Sequence, residues 1–478
     1  MIQALKRVDS EHHCYPEKII QFGEGNFLRA FFDWQVQLLN EQTDFNAGIT
    51  VVRPIDAGHP TLNKQDGLFT ALIRGINGAG EAVSEPKVIT SVNRELMAYG
   101  EFEQVLKVAE NPMLEWVVSN TTEAGIEFRD SDSASDFPPA SFPAKLTLFL
   151  LRRFETFHGD KDKGLIFLPC ELIDYNGEML KETLNQYADL WQLGEEYKQW
   201  LNNCNTFCST LVDRIVTGYP KDEAAQLAES LGYQDDFIAA AEYFYLFVIQ
   251  GPDWLKEKLK LSQCALNIKV VEDIKPYKQR KVGILNGAHT ALVPVAYLMG
   301  LDTVGESMKD ADVTEFVQSM LDEEVIPTLS MDKDELEAFK ESVIQRFENP
   351  YIKHYLISIA LNSLTKFKTR LLPQLVRYIE LNNQAPNKLS FSLAALFCFY
   401  LGKRGDEAIP LNDQPELLDK FTDWKQENSD ISQSVYQFLA MKEHWGMDLT
   451  TLANLNSQVN QHVSNIQRMG MRDALNSL

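Results

Sequence analysis

The sequence predicts an α/β domain followed by a mainly helical domain. In the first half, short apolar runs alternate with longer amphipathic segments, which is the pattern of βαβ units around a mainly parallel sheet. In the second half, apolar residues recur at helical spacing almost without interruption. The composition suits a globular chain, because 45% hydrophobic and 24% charged residues are ordinary values. We place the domains at residues 1–273 and 274–478.

The first domain is predicted to contain strands separated by helices. Apolar runs that end at turn residues predict strands; they are 18–22, 48–54, 114–120, 164–170 and 267–273. The segment QDGLFTALIRG (65–75) alternates in polarity and ends on glycine, so it predicts a hairpin. Helices are expected at 99–110, 144–158, 180–203, 222–231 and 235–247.

The second domain is predicted to be helical throughout. Its helices follow the one that begins near Lys281, at 310–326, 333–347, 351–365, 370–381, 390–402, 414–427 and 431–443. The longest apolar run, around Leu393 to Leu401, is too short to span a bilayer and predicts a core helix.

The net charge of −23 argues against several classes of partner. Nucleic acids and anionic membranes are bound by clustered lysine and arginine, so neither is expected here. The opening residues lack the apolar core of a signal peptide, and six scattered cysteines suit reduced thiols in the cytoplasm. We therefore expect a cytoplasmic protein with a small-molecule partner, either a monomer or a small homo-oligomer. An anionic substrate would need a local basic pocket.

A metal site is not expected from the spacing of the possible ligands. Cys204 and Cys208 form the only close cysteine pair, and no further ligand follows at zinc-site spacing. His12, His13 and Cys14 form a second group, but it lies close to the terminus.

A glycine-rich turn joins the first predicted strand to its helix. Glycines at such a turn let the backbone approach a pyrophosphate, while the helix N-terminus supplies amide donors. The usual third glycine is replaced by Leu28, so a glycine-rich turn without a ligand stays an alternative. Arg29 adds a polar group close to the expected phosphates. The candidate cofactor contacts here are Phe22, Gly23, Glu24, Gly25, Asn26 and Phe27.

The ends of the next strands carry further candidates. An acidic residue after the second strand binds the ribose 2′-hydroxyl of NAD, whereas a basic residue favours the 2′-phosphate of NADP. Arg53 ends this strand and Asp56 follows, so both cofactors stay open. The polar turn after the strand 114–120 lies where ligands bind in such folds, although a helix cap is an equal alternative. The candidates in these segments are Arg53, Asp66, Ser119, Asn120, Thr121 and Glu123.

Three polar residues interrupt the apolar run KVGILNGAHTALVPVAYLMG (281–300). At about 100° per residue, Lys281, Asn286 and His289 fall at roughly 0°, 140° and 80°, so they share one broad face. Desolvation disfavours the charged form of a lysine, which suits it to proton transfer. The alternative is that Lys281 reaches solvent while Asn286 and His289 cap a turn.

Other polar residues lie at predicted breaks. Asn176 follows the strand 164–170, and Asp213 with Arg214 interrupts an apolar stretch where a structural pair is the simpler explanation. Basic residues around Pro350 and after it give the local positive charge that a carboxylate would need, although solvated helix ends are the alternative. The candidate substrate contacts are Asp213, Arg346, Lys353 and Arg370.

Together these segments resemble the mannitol dehydrogenase family of polyol-specific long-chain dehydrogenases. The matching motifs are GEGNFLRA (23–30), QDGLFT (65–70), SNTTEAG (119–125), NG (176–177), STLVDRI (209–215), LNGAH (285–289) and RFENP (346–350). The resemblance implies a Rossmann-like dinucleotide-binding domain, a helical substrate domain and a metal-independent reaction. It also implies that Lys281 is the general acid/base and that Asn286 and Asn176 polarise the reacting oxygen.

Two departures point to one branch of that family. Relatives that act on mannitol or fructuronate carry GxGxFHRAHQ and CDNxxxNG, whereas this chain has Leu28 in the first motif and Glu171 with Leu172 in the second. These differences resemble a branch that reduces another keto-uronate with NAD in hexuronate catabolism. The alternatives are fructuronate or a neutral ketose as substrate, or a non-catalytic sensor that binds a dinucleotide.

Overall fold

The computed structural model describes residues 2–7, 14–55, 58–122, 124–426 and 430–478. The chain divides into two compact units. Unit 1 comprises Met1–Asn77 and Val83–Ile274, and unit 2 comprises Gly78–Ala82 and Lys275–Leu478. The division after Ile274 lies one residue beyond the boundary expected from the sequence.

Unit 1 is built on β-strands that form three sheets. The strands are β1 (Glu17–Phe22), β2 (Gly48–Arg53), β3 (Phe69–Ile76), β4 (Ala82–Ile89), β5 (Val92–Met97), β6 (Trp116–Ser119), β7 (Ile166–Pro169), β8 (Thr206–Phe207), β9 (Ser209–Asp213), β10 (Val216–Gly218), β11 (Ala239–Glu242), β12 (Leu246–Gln250) and β13 (Ile268–Val271).

The largest sheet is parallel, with the strand order β5-β2-β1-β6-β7-β8. The chain runs outward from β1 through β2 to β5, and then returns to β6 on the other side of β1. The order therefore reverses between β1 and β6, which is the place where ligands bind in open α/β sheets. The register aligns Phe22, Ser119 and Pro169 at the carboxyl edge. The predicted Rossmann-like fold class is confirmed.

The helices of unit 1 cover both faces of the parallel sheet. Ile19 and Val118 belong to one apolar cluster, whereas Ile20 and Val117 belong to the other, as expected for side chains that alternate along a strand. The helical segments are Asn26–Leu28, Arg29–Asp33, Trp34–Gln42, Leu62–Gln65, Ala98–Ala109, Phe142–Thr156, Lys161–Lys163, Asn176–Leu190, Glu195–Asn203, Lys221–Glu223, Ala224–Leu231 and Leu255–Lys258.

Three predictions for unit 1 are wrong. The segment 65–75 is not a hairpin, because a single strand, β3, runs through it and pairs with β4 and β11. The segment 235–247 is not a helix, because Ala239–Glu242 is a completely buried strand that pairs in parallel with β3. Burial between neighbouring strands outweighs the helical preference of alanine here. The single helix predicted at 180–203 is two helices, since Gln192 and Gly194 adopt positive φ angles of 54° and 83° between them. β4, β5 and β8 to β12 were not predicted. Of these, β4 and β9 to β12 belong to sheets ordered β10-β11-β3-β4 and β13-β12-β9.

Unit 2 is mainly helical. Its helical segments are Lys275–Arg280, Lys281–Asn286, Gly287–Leu298, Val304–Ser307, Ala311–Met320, Leu321–Val325, Ile326–Thr328, Lys333–Phe347, Leu356–Ile359, Ser363–Arg370, Leu372–Asn382, Asn387–Tyr400, Pro415–Gln426, Ile431–Leu439, Lys442–Trp445, Leu449–Thr451, Leu455–Met469 and Met471–Leu475. A short antiparallel hairpin joins Lys403–Arg404 to Glu407–Ala408.

The core of unit 2 is organised around one buried helix. Every residue from Leu389 to Tyr400 is buried, as expected for a helix that is apolar on all sides. The helix predicted at 351–365 is wrong, because Asn362 has a left-handed φ of 52° and separates Leu356–Ile359 from Ser363–Arg370. Within the described residues, no helix combines the length and the apolar character needed to cross a membrane.

Candidate active site

The turn after β1 requires glycine at its first position. Gly23 has a φ of +122°, and a Cβ atom there would lie 2.8 Å from the backbone oxygen of Asn120. Its N–H donates to the oxygen of Val52 at 3.0 Å, so the turn is held between β2 and β6. A side chain at this position would strain the backbone and collide with the neighbouring strand end.

The next positions of the turn leave room for a ligand. Gly25 has a φ of −62°, and a Cβ atom there would meet nothing within 4 Å. A continuous helical segment starts at Asn26, which is exposed, and its first N–H groups face this open space at the switch point of the sheet. The turn therefore fits the pyrophosphate of a dinucleotide. Leu28, which replaces the third glycine, is buried in the core.

Two aromatic candidates of this turn pack internally. Phe22 is fully buried, and its ring lies 5.1 Å from that of Phe142. Phe27 is half-buried and stacks on Phe31 at 5.0 Å. Their side chains thus support the turn from beneath, and the backbone of the turn is the part that can contact a cofactor.

Arg29 braces the turn instead of facing the phosphates. Its guanidinium donates to the backbone oxygen of Glu24 at 3.1 Å, to Asn26 Oδ1 at 2.6 Å and to the backbone oxygen of Phe237. Burial lowers the pKa of Arg29, an effect that the nearby carboxyl of Asp33 opposes. The sequence analysis expected Arg29 beside the phosphates of the ligand. In the structure, its guanidinium instead contacts the turn that would bind the ligand.

A buried ion pair lies at the end of β2. Arg53 Nε donates to Glu95 Oε1 at 2.7 Å, and the side chains are 3% and 0% exposed, respectively. Burial raises the pKa of Glu95, against the opposing effects of the Leu62 N–H and Arg53. Glu95 was missed by sequence reasoning, because a single acidic residue in a strand carries no signal of its partner. Asp56 lies outside the described residues.

A buried carboxylate organises the turn after β6. Glu171 accepts hydrogen bonds from Ser119 Oγ at 3.0 Å, and from the N–H and Oγ1 of Thr121 at 3.0 and 3.1 Å. Asn120 Nδ2 donates to the backbone oxygen of Cys170 at 2.7 Å. Burial raises the pKa of Glu171, and these hydrogen bonds oppose that rise. The side chains of this predicted cofactor turn are thus held by the segment after β7. Glu123 lies outside the described residues.

Asp66 lies at the other edge of the sheet. Its carboxylate accepts from Lys6 Nζ at 3.4 Å and from the N–H of Arg7 at 3.2 Å. Arg7 in turn donates to the oxygen of Val92 at 2.6 Å, and Val92 is the first residue of β5. The structure therefore places Asp66 near the amino ends of the parallel strands, whereas the glycine turn follows their carboxyl ends.

Asn176 is fully buried at the start of its helix. Its Nδ2 donates to the backbone oxygens of Pro169 and Glu171 at 2.9 and 3.0 Å, and its Oδ1 accepts from the N–H of Thr210 at 2.8 Å. The amide thereby ties the helix to β7 and β9. Sequence reasoning assigned Asn176 to the reacting oxygen, but in the structure both of its amide hydrogens have protein acceptors.

Asp213 and Arg214 lie at the end of β9, where both are buried. Arg214 donates to the backbone oxygens of Glu242 and Ala30, at 2.9 and 2.8 Å. Its guanidinium carbon lies 4.4 Å from the centre of the Trp34 ring. These contacts give Arg214 a structural role, and the predicted substrate contact of Asp213 stays a prediction.

A π-helical turn aligns the lysine and the asparagine in unit 2. The segment Lys281–Asn286 is π-helical, so residues five apart lie one above the other. Lys281 and Asn286 are separated by five positions, and His289 follows three further along the α-helix Gly287–Leu298. The three side chains therefore share a narrower face than the 100° spacing predicts. Lys281 and Asn286 are half-buried, and His289 is buried.

Basic side chains surround His289. Its ring centre lies 4.1 Å from that of Phe347 and 5.1 Å from that of His354. Burial holds the pKa of His289 well below its usual range, and the charges of His354, Arg346 and Arg370 add to this effect. These effects favour the neutral form of His289. We call Arg346, His354, Lys366 and Arg370 the basic cluster.

The basic cluster is linked to the helix that carries Lys281. Arg370 Nη1 donates to Thr290 Oγ1 at 3.3 Å, and Thr290 Oγ1 donates to the backbone oxygen of Asn286 at 2.9 Å. Gly287 permits this approach, since a Cβ atom there would lie 2.9 Å from Leu371 Cδ2. Lys366 Nζ donates to the backbone oxygen of Ile359 at 2.7 Å.

Partial burial disfavours the charged forms of Lys366, Arg370 and His354, so a bound anion would stabilise them. Burial lowers the pKa of Lys366, and the charge of Arg370 lowers it further. Burial also lowers the pKa of Arg370 and of His354. Half-buried cations in an acidic chain suit the capture of a carboxylate. Lys353, in contrast, is exposed.

Comparisons with known proteins identify relatives over both halves of the chain. The mannitol dehydrogenase Rossmann domain matches residues 17–263, and the mannitol dehydrogenase C-terminal domain matches residues 273–467. An altronate oxidoreductase of Yersinia pestis is 54% identical over 479 residues, with 99% of this chain and 99% of that relative covered.

Solved structures share the fold at lower identity. A D-sorbitol dehydrogenase in substrate-free form has a TM-score of 0.81 and 22% identity, with 99% of this chain and 100% of that chain covered. The mannitol 2-dehydrogenase of Pseudomonas fluorescens, in a ternary complex with NAD and D-mannitol, has a TM-score of 0.64 and 20% identity, covering 97% and 94%.

Proposed function

Because the chain belongs to the mannitol dehydrogenase family, we propose that it catalyses the reversible, NAD-dependent reduction of D-tagaturonate to D-altronate. The relative named altronate oxidoreductase supports the activity, since it is 54% identical over nearly the whole of both chains. The observation that carries the substrate assignment is the basic cluster beside His289. A sugar acid supplies a carboxylate to the half-buried Lys366 and Arg370 of this cluster, whereas a neutral polyol does not.

NAD, when bound, exchanges the hydride at its nicotinamide ring. The residues that would hold it are those of the turn after β1, where Gly23 keeps the loop close to β6 and Gly25 leaves space for the pyrophosphate. The N–H groups at Asn26 and after it would bind the phosphates. Ser119 to Thr121, held by Glu171, would form the opposite side of that site.

Lys281 moves the proton in this proposal. During reduction, its ammonium donates a proton to the oxygen of the keto group as the carbon receives hydride. Asn286 donates a hydrogen bond to the same oxygen and stabilises the negative charge that develops there. In the oxidation direction, Lys281 accepts the hydroxyl proton as hydride leaves the carbon.

The neighbouring residues position the substrate. His289 would hold a substrate hydroxyl next to the reacting carbon, while Arg346 and Arg370 pair with the carboxylate. Lys366 adds a third cation to that pairing. For Asn176 we propose support of the strand ends at β7 and β9 in place of direct contact with the oxygen, because its amide is already engaged.

A cytoplasmic location belongs to the same proposal. All six cysteines are free, which suits a reducing compartment where NADH and sugar acids are available.

An activity panel tests the proposal. The full chain would be assayed with NADH and tagaturonate, fructuronate or fructose, and we expect the highest kcat/KM with tagaturonate. A higher value with fructuronate would move the chain to the other keto-uronate. A preference for fructose, a neutral ketose, would contradict the proposal that the basic cluster binds a substrate carboxylate. NADH binding without turnover of any keto sugar would identify a sensor.

A further inference from the structure

The arginine at the end of β2 has its donors occupied. Arg53 donates to Glu95 through Nε at 2.7 Å, to the backbone oxygen of His59 through Nη1 at 2.7 Å and to that of Pro60 through Nη2 at 3.1 Å. The guanidinium could turn toward a 2′-phosphate only by leaving the buried Glu95 carboxylate without its positively charged partner, which is strongly unfavourable. Arg53 is therefore not available to recognise NADP.

The carboxylate of Glu24, in the glycine turn, also lies at the end of β2. Glu24 Oε1 lies 3.7 Å from Arg53 Nε, and the Glu24 side chain is 25% exposed. Glu24 stands between Gly23 and Gly25, so the turn that fits the pyrophosphate also directs a carboxylate to the end of β2. In this fold, the adenosine ribose lies at the end of the second strand.

We propose that Glu24 selects NAD over NADP. Its carboxylate accepts the hydrogen bond of the ribose 2′-hydroxyl and repels a 2′-phosphate. Glu95 neutralises the positive charge of Arg53. The negative charge of Glu24 is therefore the net charge at the expected ribose site. This inference rests on the proposed function, because it assumes that the turn binds a dinucleotide. It shifts the selecting residue from the segment after β2 to the turn after β1.

Binding measurements separate Glu24 from its neighbours. Tryptophan fluorescence would follow titration with NADH and NADPH, and with the shorter pair AMP and adenosine 2′,5′-bisphosphate, which differ only in the 2′-phosphate. We expect Glu24→Gln to reduce the preference for NADH over NADPH by at least roughly tenfold, since a charged hydrogen bond is lost and a repulsion is removed. Glu24→Asp keeps the charge and should retain part of the preference.

Asp66→Asn is the matched control, because Asp66 is also a partly exposed carboxylate beside basic groups. Its substitution should leave the preference unchanged. The inference is overturned if wild-type protein binds NADPH as tightly as NADH, or if Glu24→Gln retains the full preference; loss of the preference in Asp56→Asn would then assign the selection to Asp56. Turnover of tagaturonate by the wild type with NADH, in either case, would leave the proposed function standing. Failure to bind either cofactor would remove both.

Discussion

Lys281 and Asn286 act on one oxygen in the proposed reaction, so their loss should affect turnover and spare cofactor binding. We expect Lys281→Ala to lower kcat by about 10²–10⁴-fold, the usual contribution of a general acid/base. NADH affinity should stay near the wild-type value, because the turn after β1 belongs to unit 1. Lys281→Arg is the control, since arginine keeps the charge but does not release its proton. Turnover close to wild type in Lys281→Ala would remove the lysine from its role.

The carboxylate assignment predicts a different kinetic signature. Arg370→Gln should raise the KM for tagaturonate by roughly tenfold or more, because a charged hydrogen bond to the substrate is lost in ground and transition states alike. The change in kcat should be small. Lys353→Gln is the matched control, since Lys353 is exposed whereas Arg370 is half-buried beside Thr290. Equal effects of the two substitutions would contradict a specific role for Arg370.

The sequence predicts the residue types of the site better than their contacts. Lys281, Asn286 and His289 could be recognised because they are polar residues in an apolar run. The basic residues around Pro350 could be recognised because the chain as a whole is acidic. The contacts of Glu171 and Glu95 could not be recognised, because their partners are 50 and 42 positions away in the chain. Asn176 shows the converse, since a residue type suited to catalysis is used in the structure to join strand ends.

At the scale of elements, β1, β2, β6 and β7 of the parallel sheet were predictable because each lies in a mainly apolar run, whereas the polar β5 (VNRELM) and the two-residue β8 were not predicted. All residues of β2, β6 and β7 are buried, as expected for a sheet covered on both faces. Ala239–Glu242 was not predictable, since only its neighbours make an alanine-rich segment a strand. The π-helical turn at Lys281–Asn286 also has no local signal. A spacing of about 100° per residue assumes a regular α-helix. A π-helical turn contains an extra residue, so the angle between the Lys281 and Asn286 side chains differs from the value predicted for an α-helix.

The turn after β1 yields a prediction in which two glycines behave differently. Gly23→Ala should lower the thermal midpoint and weaken NADH binding, because the left-handed φ and the contact with Asn120 together cost more than about 1 kcal/mol. Gly25→Ala should leave the thermal midpoint unchanged, since its φ is ordinary and the surrounding space is empty. Its methyl group would still occupy the position expected for the pyrophosphate and should raise the Kd for NADH. Unchanged NADH binding in Gly25→Ala would contradict the assignment of the turn.

At the scale of the whole molecule, the substrate and the protein carry charge of the same sign. A chain with a net charge of −23 repels an anionic sugar acid at long range, whereas the half-buried basic cluster attracts it at short range. Salt screens the two interactions unequally. The Debye length falls from about 30 Å at 0.01 M to about 8 Å at 0.15 M, and partly buried pairs are screened less than exposed charges.

Raising the ionic strength over that range should therefore increase kcat/KM for tagaturonate at saturating NADH, which is the reverse of the usual effect of salt on an enzyme that binds an anion. Steady-state assays in sodium chloride and potassium chloride would separate ionic strength from effects of a particular cation. In Arg370→Gln the increase should persist while the absolute value falls, because the long-range repulsion is unchanged and only the local attraction is lost. A steady decrease of kcat/KM with salt in the wild type would show that exposed lysines, and not the basic cluster, bind the carboxylate.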